Sequence, residues 1–483
     1  MNKPLVQKLL VIGLLVTGFV LRWLALQQSE FANGWDTYYY LIQLASFQNT
    51  GEMHSPEWNL FYPFLIVADW FFTDSVTAVK FLSASLTVLL MYAFYLLAIQ
   101  LKIRFEYILL LLALLLFSPE LTYFASQWPK NLLGIIVYVL LLTALVKRSW
   151  YFIIALLIVS FFAHRMAAVL GLITVALWIF NKKINLRLKI GIVTLGLLSL
   201  GIFHFVPGLI SFYDFERFNS LLSTQLQLPH LSFFHLFETE KTSIWWRMEM
   251  ILSILFFSFV IGKLIRQLIK KQSIPPFQFV IIIIFIILWF PFYQMTSDNI
   301  PYRLFHAGLL LLPLLFLVSF KNLNLNSWLV KSLTFIIIIS SFFSWKTYTP
   351  EKHDPDYKTY SKMMGKLESY WMKNSIPELI IGHKSMAEII TYHTQVDVLP
   401  WQVEYEVEDD KLYRIAYLPF DRLYEYYLHE KPYQLAVNYY YIKESDWQLF
   451  LTNLKKHENA AMYELHQNWK NPHEIRPAYL LKN

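Results

Sequence analysis

Long apolar runs separated by short, mostly basic turns fill positions 1–345 of this chain. Apolar runs of about 20 residues with few charges predict membrane-crossing helices, because that length matches the hydrocarbon layer. About eleven segments meet this criterion: 5–26, 76–100, 105–118, 131–147, 150–163, 166–180, 188–207, 246–262, 277–293, 303–320 and 328–345. The pair 150–163 and 166–180 also reads as one broken helix. Basic residues orient the set. Lys3 and Lys8 precede the first run, and Lys102, Arg104, Lys147, Arg148, Lys182, Lys183, Lys263, Arg266, Lys270, Lys271 and Lys321 fall in alternate turns. Residues 27–75 contain no Lys or Arg but hold Glu30, Asp36, Glu52, Glu57, Asp69 and Asp74. The positive-inside rule therefore predicts a cytoplasmic N-terminus and an outer-face loop over 27–75. An odd number of spans places the C-terminal segment outside as well.

Two stretches of that loop carry their own pattern. Residues 35–47 have aromatic and aliphatic positions at helical spacing, and 61–72 are apolar but too short to span. Both predict helices lying at the membrane surface. A second outer loop over 207–245 is rich in aromatics and His, and Trp245-Trp246 opens the next run as an interfacial anchor. From position 346 charge rises and long apolar runs vanish. Helices are expected at 357–371, 385–391 and 444–456, and strands at 378–381, 396–399, 435–442, 461–466 and 478–481. The expected architecture is an α-helical polytopic membrane domain over 1–345, followed by an extracytoplasmic α/β domain over 346–483.

Composition narrows the chemistry. The chain has no cysteine, which excludes disulfides, thiolate metal sites and cysteine nucleophiles. The formal net charge of +7 reflects the cytoplasmic basic turns and gives no reason to expect nucleic acid as a partner. No phosphate-binding P-loop, G-x-G-x-x-G or G-x-S-x-G motif occurs, so nucleotide hydrolysis and serine-hydrolase chemistry lack support. The first run is too long for a cleaved signal and reads as an anchor. The strongly positive-inside turns and the lack of cysteine fit a bacterial inner membrane. The acidic run over 404–410 reads as a solvated loop.

Several polar residues stand where apolar chain meets water. Arg22-Trp23 closes the first run, and Asp36 follows shortly after, beside Tyr38, Tyr39 and Tyr40. An acid at such a boundary is a functional candidate. His164-Arg165 interrupts two short apolar runs. The order Arg22-Trp23, Gly34-Trp35-Asp36-Thr37-Tyr38-Tyr39, Phe61-Tyr62-Pro63-Phe64, Thr73-Asp74-Ser75, then Ser118-Pro119-Glu120-Leu121-Thr122-Tyr123 and Trp128-Pro129-Lys130-Asn131 resembles the polytopic glycosyltransferases of the GT-C fold. That group includes protein O-mannosyltransferases, aminoarabinose transferases of lipid A and catalytic subunits of oligosaccharyltransferase. The agreement covers residues 1–150; beyond it only the general plan agrees. Members often carry two adjacent acids after the first span, where this chain has Asp36-Thr37. Many carry an acid in the second outer loop, where this chain has Lys130-Asn131 and an earlier Glu120.

The resemblance implies transfer of a sugar from a polyprenyl-phosphate donor to a glycan, lipid or protein acceptor on the outer face. Asp36 is then the catalytic base. Arg303 leads the candidates for the donor phosphate, followed by His164, Arg165 and Lys130. Tyr38, Tyr39, His54, Glu57 and Glu120 are substrate-binding candidates. The metal set is open, with a divalent cation as the candidate cofactor. Two other readings stand beside it: a non-catalytic partner in envelope-glycan assembly, and a lipid-linked glycan transporter or flippase. The scarcity of acids within the runs weighs against the transporter.

Overall fold

The computed structural model describes residues 3–54, 57–180, 244–289, 300–322, 327–346 and 354–457, except for positions 271, 273, 375, 378, 383, 395, 397, 401–411, 418–432 and 437–438. The expected run 188–207, the outer loop up to residue 243, the acidic run 404–410 and the strands at 461–466 and 478–481 lie outside the described residues. The chain divides into two compact units. One contains the described residues up to Asn33 and from Trp58 to Lys346. The other contains Gly34–Glu57 and the described residues from Asp354 on.

The first unit is helical. In chain order it holds α1 (Lys3–Leu26), then, after a segment belonging to the other unit, α3 (Phe61–Asp69), α4 (Ser75–Gln100), α5 (Phe105–Phe117), α6 (Pro119–Gln127), α7 (Pro129–Lys147), α8 (Trp150–Ala163) and α9 (Arg165–Phe180). It continues with α10 (Ile244–Ile269), α11 (Pro276–Trp289), α12 (Ile300–Leu310), α13 (Pro313–Asn322) and α14 (Ser327–Lys346). Four helices among the described residues are long and apolar enough to cross a membrane: α1, α4, α7 and α10. A fifth is reached if α5 and α6, bent by 52° at Ser118, count as one. The outward side chains of α1 include Leu5, Leu9, Ile12, Val16, Val20 and Leu24, an apolar face that suits lipid rather than water.

The expected runs 150–163, 166–180, 277–293 and 303–320 are helices too short to cross straight, whereas the run 328–345 is the 20-residue α14. The breaks have local causes. Pro119, Pro129 and Pro313 each stand at the first position of a helix, where a missing N–H costs nothing but the preceding helix must stop. The expected run 303–320 is thus two helices, turning at Leu311–Leu312 ahead of Pro313. His164 separates α8 from α9 in an extended conformation.

Ending a helix inside apolar surroundings orphans its last carbonyls. At the α5–α6 bend the fully buried Arg22 of α1 supplies the missing donors. Its guanidinium bonds the carbonyls of Leu115 (2.8 Å), Ser118 (3.0 Å) and Leu116. The Ser118 hydroxyl accepts the N–H of Leu121 and so caps α6. At the α8–α9 break, Leu60 donates its N–H to Phe162 O (2.7 Å) and Asn59 its amide to Ala163 O (3.1 Å). His164 Nδ1 accepts from Met166 N–H at 3.2 Å. The expected helix at 61–72 is α3, with Phe64, Val67, Trp70 and Phe71 exposed along and after it.

The second unit begins with α2 (Thr37–Thr50), which follows Gly34. It also holds α15 (Tyr357–Trp371), β1 (Leu379–Gly382), α16 (Lys384–Thr394), β2 (Val398–Pro400), β3 (Leu412–Tyr417), β4 (Tyr433–Ala436), β5 (Tyr439–Lys443) and α17 (Glu444–His457). The five strands form one mixed sheet in the order β2-β1-β3-β5-β4. β1 runs parallel to β2 and β3, while β5 pairs antiparallel with β3 and β4. The expected single strand at 435–442 is a hairpin, β4 and β5, with Ala436 opposite Tyr439. Strand β3 was not expected; Arg414 on it donates from Nε and Nη2 to the two carboxylate oxygens of Glu444 and lies 4.9 Å from the Trp447 ring, tying α17 to the sheet.

Helix α2 is not the one-sided surface helix its spacing suggested. Tyr38, Tyr39, Tyr40, Leu41, Ile42, Gln43 and Leu44 are all buried, and α2 packs on α16.

Removing the Arg22 cap tests the bend. Arg22→Met keeps an apolar stem but removes the guanidinium bonds to the carbonyls of Leu115, Leu116 and Ser118. It should destabilise the detergent-solubilised protein by about 3 kcal/mol, read as a lowered Tm, since bonds from a charged donor contribute at that scale. The second unit should show its own response to alkali. Burial pushes the phenols of Tyr357, Tyr360 and Tyr441 above their ordinary value of 10.0. A raised folded value favours the protonated form, so this contribution is complete below about pH 10 and is lost as pH rises further. Unfolding followed by tyrosinate absorbance should show stability flat to about pH 10 and falling above it.

Candidate functional site

Glu120 stands in the first turn of α6, where the helix dipole favours a negative charge. The α5–α6 bend turns it inward, and its side chain is 2% exposed. One carboxylate oxygen contacts His306 Nδ1 at 2.8 Å, and the other accepts the indole N–H of Trp246 at 3.2 Å. The His306 imidazole is enclosed by the rings of Tyr123 (5.2 Å), Trp128 (5.7 Å), Trp246 (6.3 Å) and Phe305 (5.7 Å).

His306 is placed by α12. Trp289 of α11 donates its indole N–H to Phe305 O at 3.2 Å and lies so close to Gly308 that a Cβ there would overlap the ring. Arg303, one turn before His306 on α12, has its guanidinium carbon 5.7 Å from the centroid of Trp128. Trp128 therefore faces both Arg303 and His306. Lys130, two residues on, is buried at 9% exposure with its ammonium 5.2 Å from the Tyr62 ring. Glu249 of α10 is buried nearby; its electrostatic neighbours are Glu120, Arg22, Ser118 and Ser341. Glu249 is one of the few acids within the apolar runs, and it lies inside a membrane-length helix. Trp246, expected to open the run, is 3% exposed and bonded to Glu120.

Of the residues singled out from sequence, the first unit brings Glu120 and Arg303 to one aromatic-walled cluster through His306 and Trp128. His164 and Arg165 are half-buried at the α8–α9 break, where His164 serves as a cap. His306 escaped the sequence reading. The signal was its spacing of three from Arg303, which puts both on one helix face.

In the second unit Asp36 is half-buried at the head of α2. It occupies the N-cap position with φ −105° and ψ −1°, and its carboxylate makes no capping bond to the α2 N–H groups. Its carbonyl accepts from Tyr40 N–H at 3.3 Å. Gly34, at φ +91°, turns the chain ahead of it in a conformation that side chains rarely adopt. Tyr38 is 1% exposed and packs edge-on against Tyr357 and Tyr392. Tyr39 accepts from the Gln43 amide at 2.7 Å and donates to Glu57 Oε2 at 3.4 Å. Glu57 and His54 are half-buried. The strand tyrosines pack on one another, Tyr413 stacking on Tyr441 at 4.5 Å.

No protein-family model matches the chain, and no curated protein matches it in sequence. Among the described residues no three His, Asp or Glu side chains converge as a metal-ligand set.

The chemistry open to the first cluster is that of a buried acid–base pair beside a ring-held cation. Such a pair acts as a unit. Stability effects of Glu120→Ala and His306→Ala should be non-additive by about 1–3 kcal/mol in a double-mutant cycle of thermal unfolding. Additive losses would mean that the two side chains contribute separately.

Proposed function

We propose that this chain is a membrane-embedded glycosyltransferase of the GT-C plan. It moves a sugar from a polyprenyl-phosphate donor to a glycan, lipid or protein acceptor at the outer face of a bacterial inner membrane. The finer architecture belongs to the same proposal: about eleven spans, a cytoplasmic N-terminus and an extracytoplasmic C-terminal domain. The observation that carries the reading is the station of Asp36. It follows the first membrane-length helix in the chain, heads a helix rich in tyrosine, and is half-buried. A carboxylate so placed suits abstraction of a proton from an acceptor hydroxyl.

In this reading Asp36 takes the proton while the donor's glycosyl–phosphate bond breaks, and cationic side chains stabilise the departing polyprenyl phosphate. Arg303 is the leading phosphate ligand. Its guanidinium lies beside an aromatic ring, an arrangement that orients the planar fork for oxygen atoms. Lys130, His164 and Arg165 are the further candidates. Tyr39 and Glu57, already bonded to each other, are candidates for sugar hydroxyls.

One observation favours a second reading. Glu249 and Glu120 are buried acids within the membrane-type unit, as transport of a lipid-linked glycan coupled to protons would use. Substrate flux into proteoliposomes, without any transfer product, would select that reading.

A deletion strain complemented with wild type or Asp36→Asn, matched for membrane amount, tests the enzyme reading. Mass spectrometry of envelope glycans and lipid-linked sugars should show a glycan restored by wild type alone. The Asp36→Asn strain should accumulate the lipid-linked donor. Full restoration by Asp36→Asn would remove Asp36 from catalysis. Arg303→Ala should raise the donor concentration needed for half-maximal turnover by about tenfold or more, the usual scale for losing one charge-assisted phosphate contact.

A further inference from the structure

The peptide groups around Asp36 are held by residues far away in sequence. The N–H of Gly34 donates to Asp354 Oδ1 at 2.8 Å, and the carbonyl of Gly34 accepts from the Tyr357 hydroxyl at 2.7 Å. Gly34 is buried, so both of its polar groups depend on these two side chains. Tyr357 is the first residue of α15, and Asp354 lies just ahead of it. The same Tyr357 ring meets Tyr38 edge-on at 5.0 Å. Tyr38 is further enclosed by Tyr392 at 5.7 Å and His393 at 5.8 Å, both on α16.

Asp36 therefore stands between two fixed points, Gly34 and Tyr38, each tied to Tyr357. The left-handed φ of Gly34 sets the direction in which the chain leaves the first point. Short spacing leaves the intervening backbone little freedom, and the first turn of α2 takes up what remains.

We infer that Asp354 and Tyr357 are positioning residues for Asp36, so that the start of the C-terminal α/β domain sets where the reacting carboxylate stands. The inference rests on the reading of Asp36 as the base. Its physical content is preorganisation: a catalytic group displaced by about 1 Å loses much of its rate advantage, on the order of a hundredfold. The Tyr357 half of the clamp is also robust to alkali. Burial, followed by the charge of Asp354, pushes the Tyr357 phenol well above its ordinary value, so it remains a donor at neutral and mildly alkaline pH.

The test uses full-length protein in membranes, with the lipid-linked sugar accumulated by the deletion strain as donor. Tyr357→Phe removes the hydroxyl donor but keeps the ring against Tyr38. Asp354→Ala removes the acceptor, whereas Asp354→Asn keeps an oxygen for the Gly34 N–H. Hydrogen exchange at the Gly34 amide reports the clamp, and turnover at saturating and limiting donor reports catalysis. Tyr357→Phe and Asp354→Ala should speed exchange and lower saturated turnover by about tenfold or more. Half-saturation should stay within about twofold, and Asp354→Asn should restore most of the rate, because a positioning defect acts on the reacting state rather than on donor binding. Faster exchange with wild-type turnover would overturn the inference, leaving the clamp as packing only. So would equal losses in Asp354→Ala and Asp354→Asn. Asp36→Asn separates the two claims. If it turns over like wild type, the base assignment falls and the inference falls with it. If it is inactive while the clamp variants run at wild-type rate, the inference alone falls. Should Tyr357→Phe fail to accumulate, Asp354→Ala against Asp354→Asn decides in the same way.

Discussion

Helices that end inside apolar surroundings must find partners for their last carbonyls, and the helical unit is organised around that need. The bend at Ser118 exposes the carbonyl end of α5 where no water is expected to reach. Arg22 answers it with bonds to three carbonyls, and is itself completely buried in doing so. A charge in that position would be costly if it were not matched by oriented dipoles. The carbonyl end of a helix carries partial negative charge, so the guanidinium and the α5 terminus neutralise each other. An arginine at the end of the first apolar run therefore acts here as a cap for a different helix.

The site geometry depends on that bend. Only because α6 departs at 52° from α5 does Glu120, in its first turn, meet Trp246 of α10 and His306 of α12. Proline and serine make the bend possible from local chemistry, and Arg22 makes it stable from a distance. A second set of constraints fixes the other side. Trp289 lies against Gly308 and bonds the Phe305 carbonyl, which pins the α12 backbone just where His306 and Arg303 project. Among the described residues, polar chemistry in this unit is thus placed by aromatic packing and helix-end capping.

How much of this was legible in the sequence follows from the range of each interaction. The apolar runs that became α1, α4, α7 and α10 could be read because length and composition alone define them. Helix α15 was read with its observed boundaries, since Asp356 caps Thr359 N–H at its start and its apolar positions recur at helical spacing. The hairpin of β4 and β5 was hidden because both strands share one apolar, tyrosine-rich run, in which only Asn438 hints at a turn. Strand β3 was hidden because its neighbours β1 and β5 decide its pairing, and neither is adjacent in sequence. The Glu120–His306 pair joins residues 186 apart, and the Gly34–Tyr357 bond residues 323 apart. Local patterns give each residue's type and face, but not which distant residue it will meet.

Helix α2 shows why the difference matters for function. Its spacing invited the reading of a helix lying on a membrane surface, with one wet side. Its burial is nearly all-round, from Tyr38 through Leu44, and a helix buried in that way needs partners on more than one face. Packing on α16 supplies one, the Gly34 bonds to Asp354 and Tyr357 fix its start, and the Tyr39–Gln43 and Tyr39–Glu57 bonds satisfy polar groups within it. A short helix of 14 residues has little stability of its own in water. Its order is therefore borrowed from the α/β domain. Any chemistry that Asp36 performs inherits that dependence, because the carboxylate can be no better ordered than the helix whose first turn it opens.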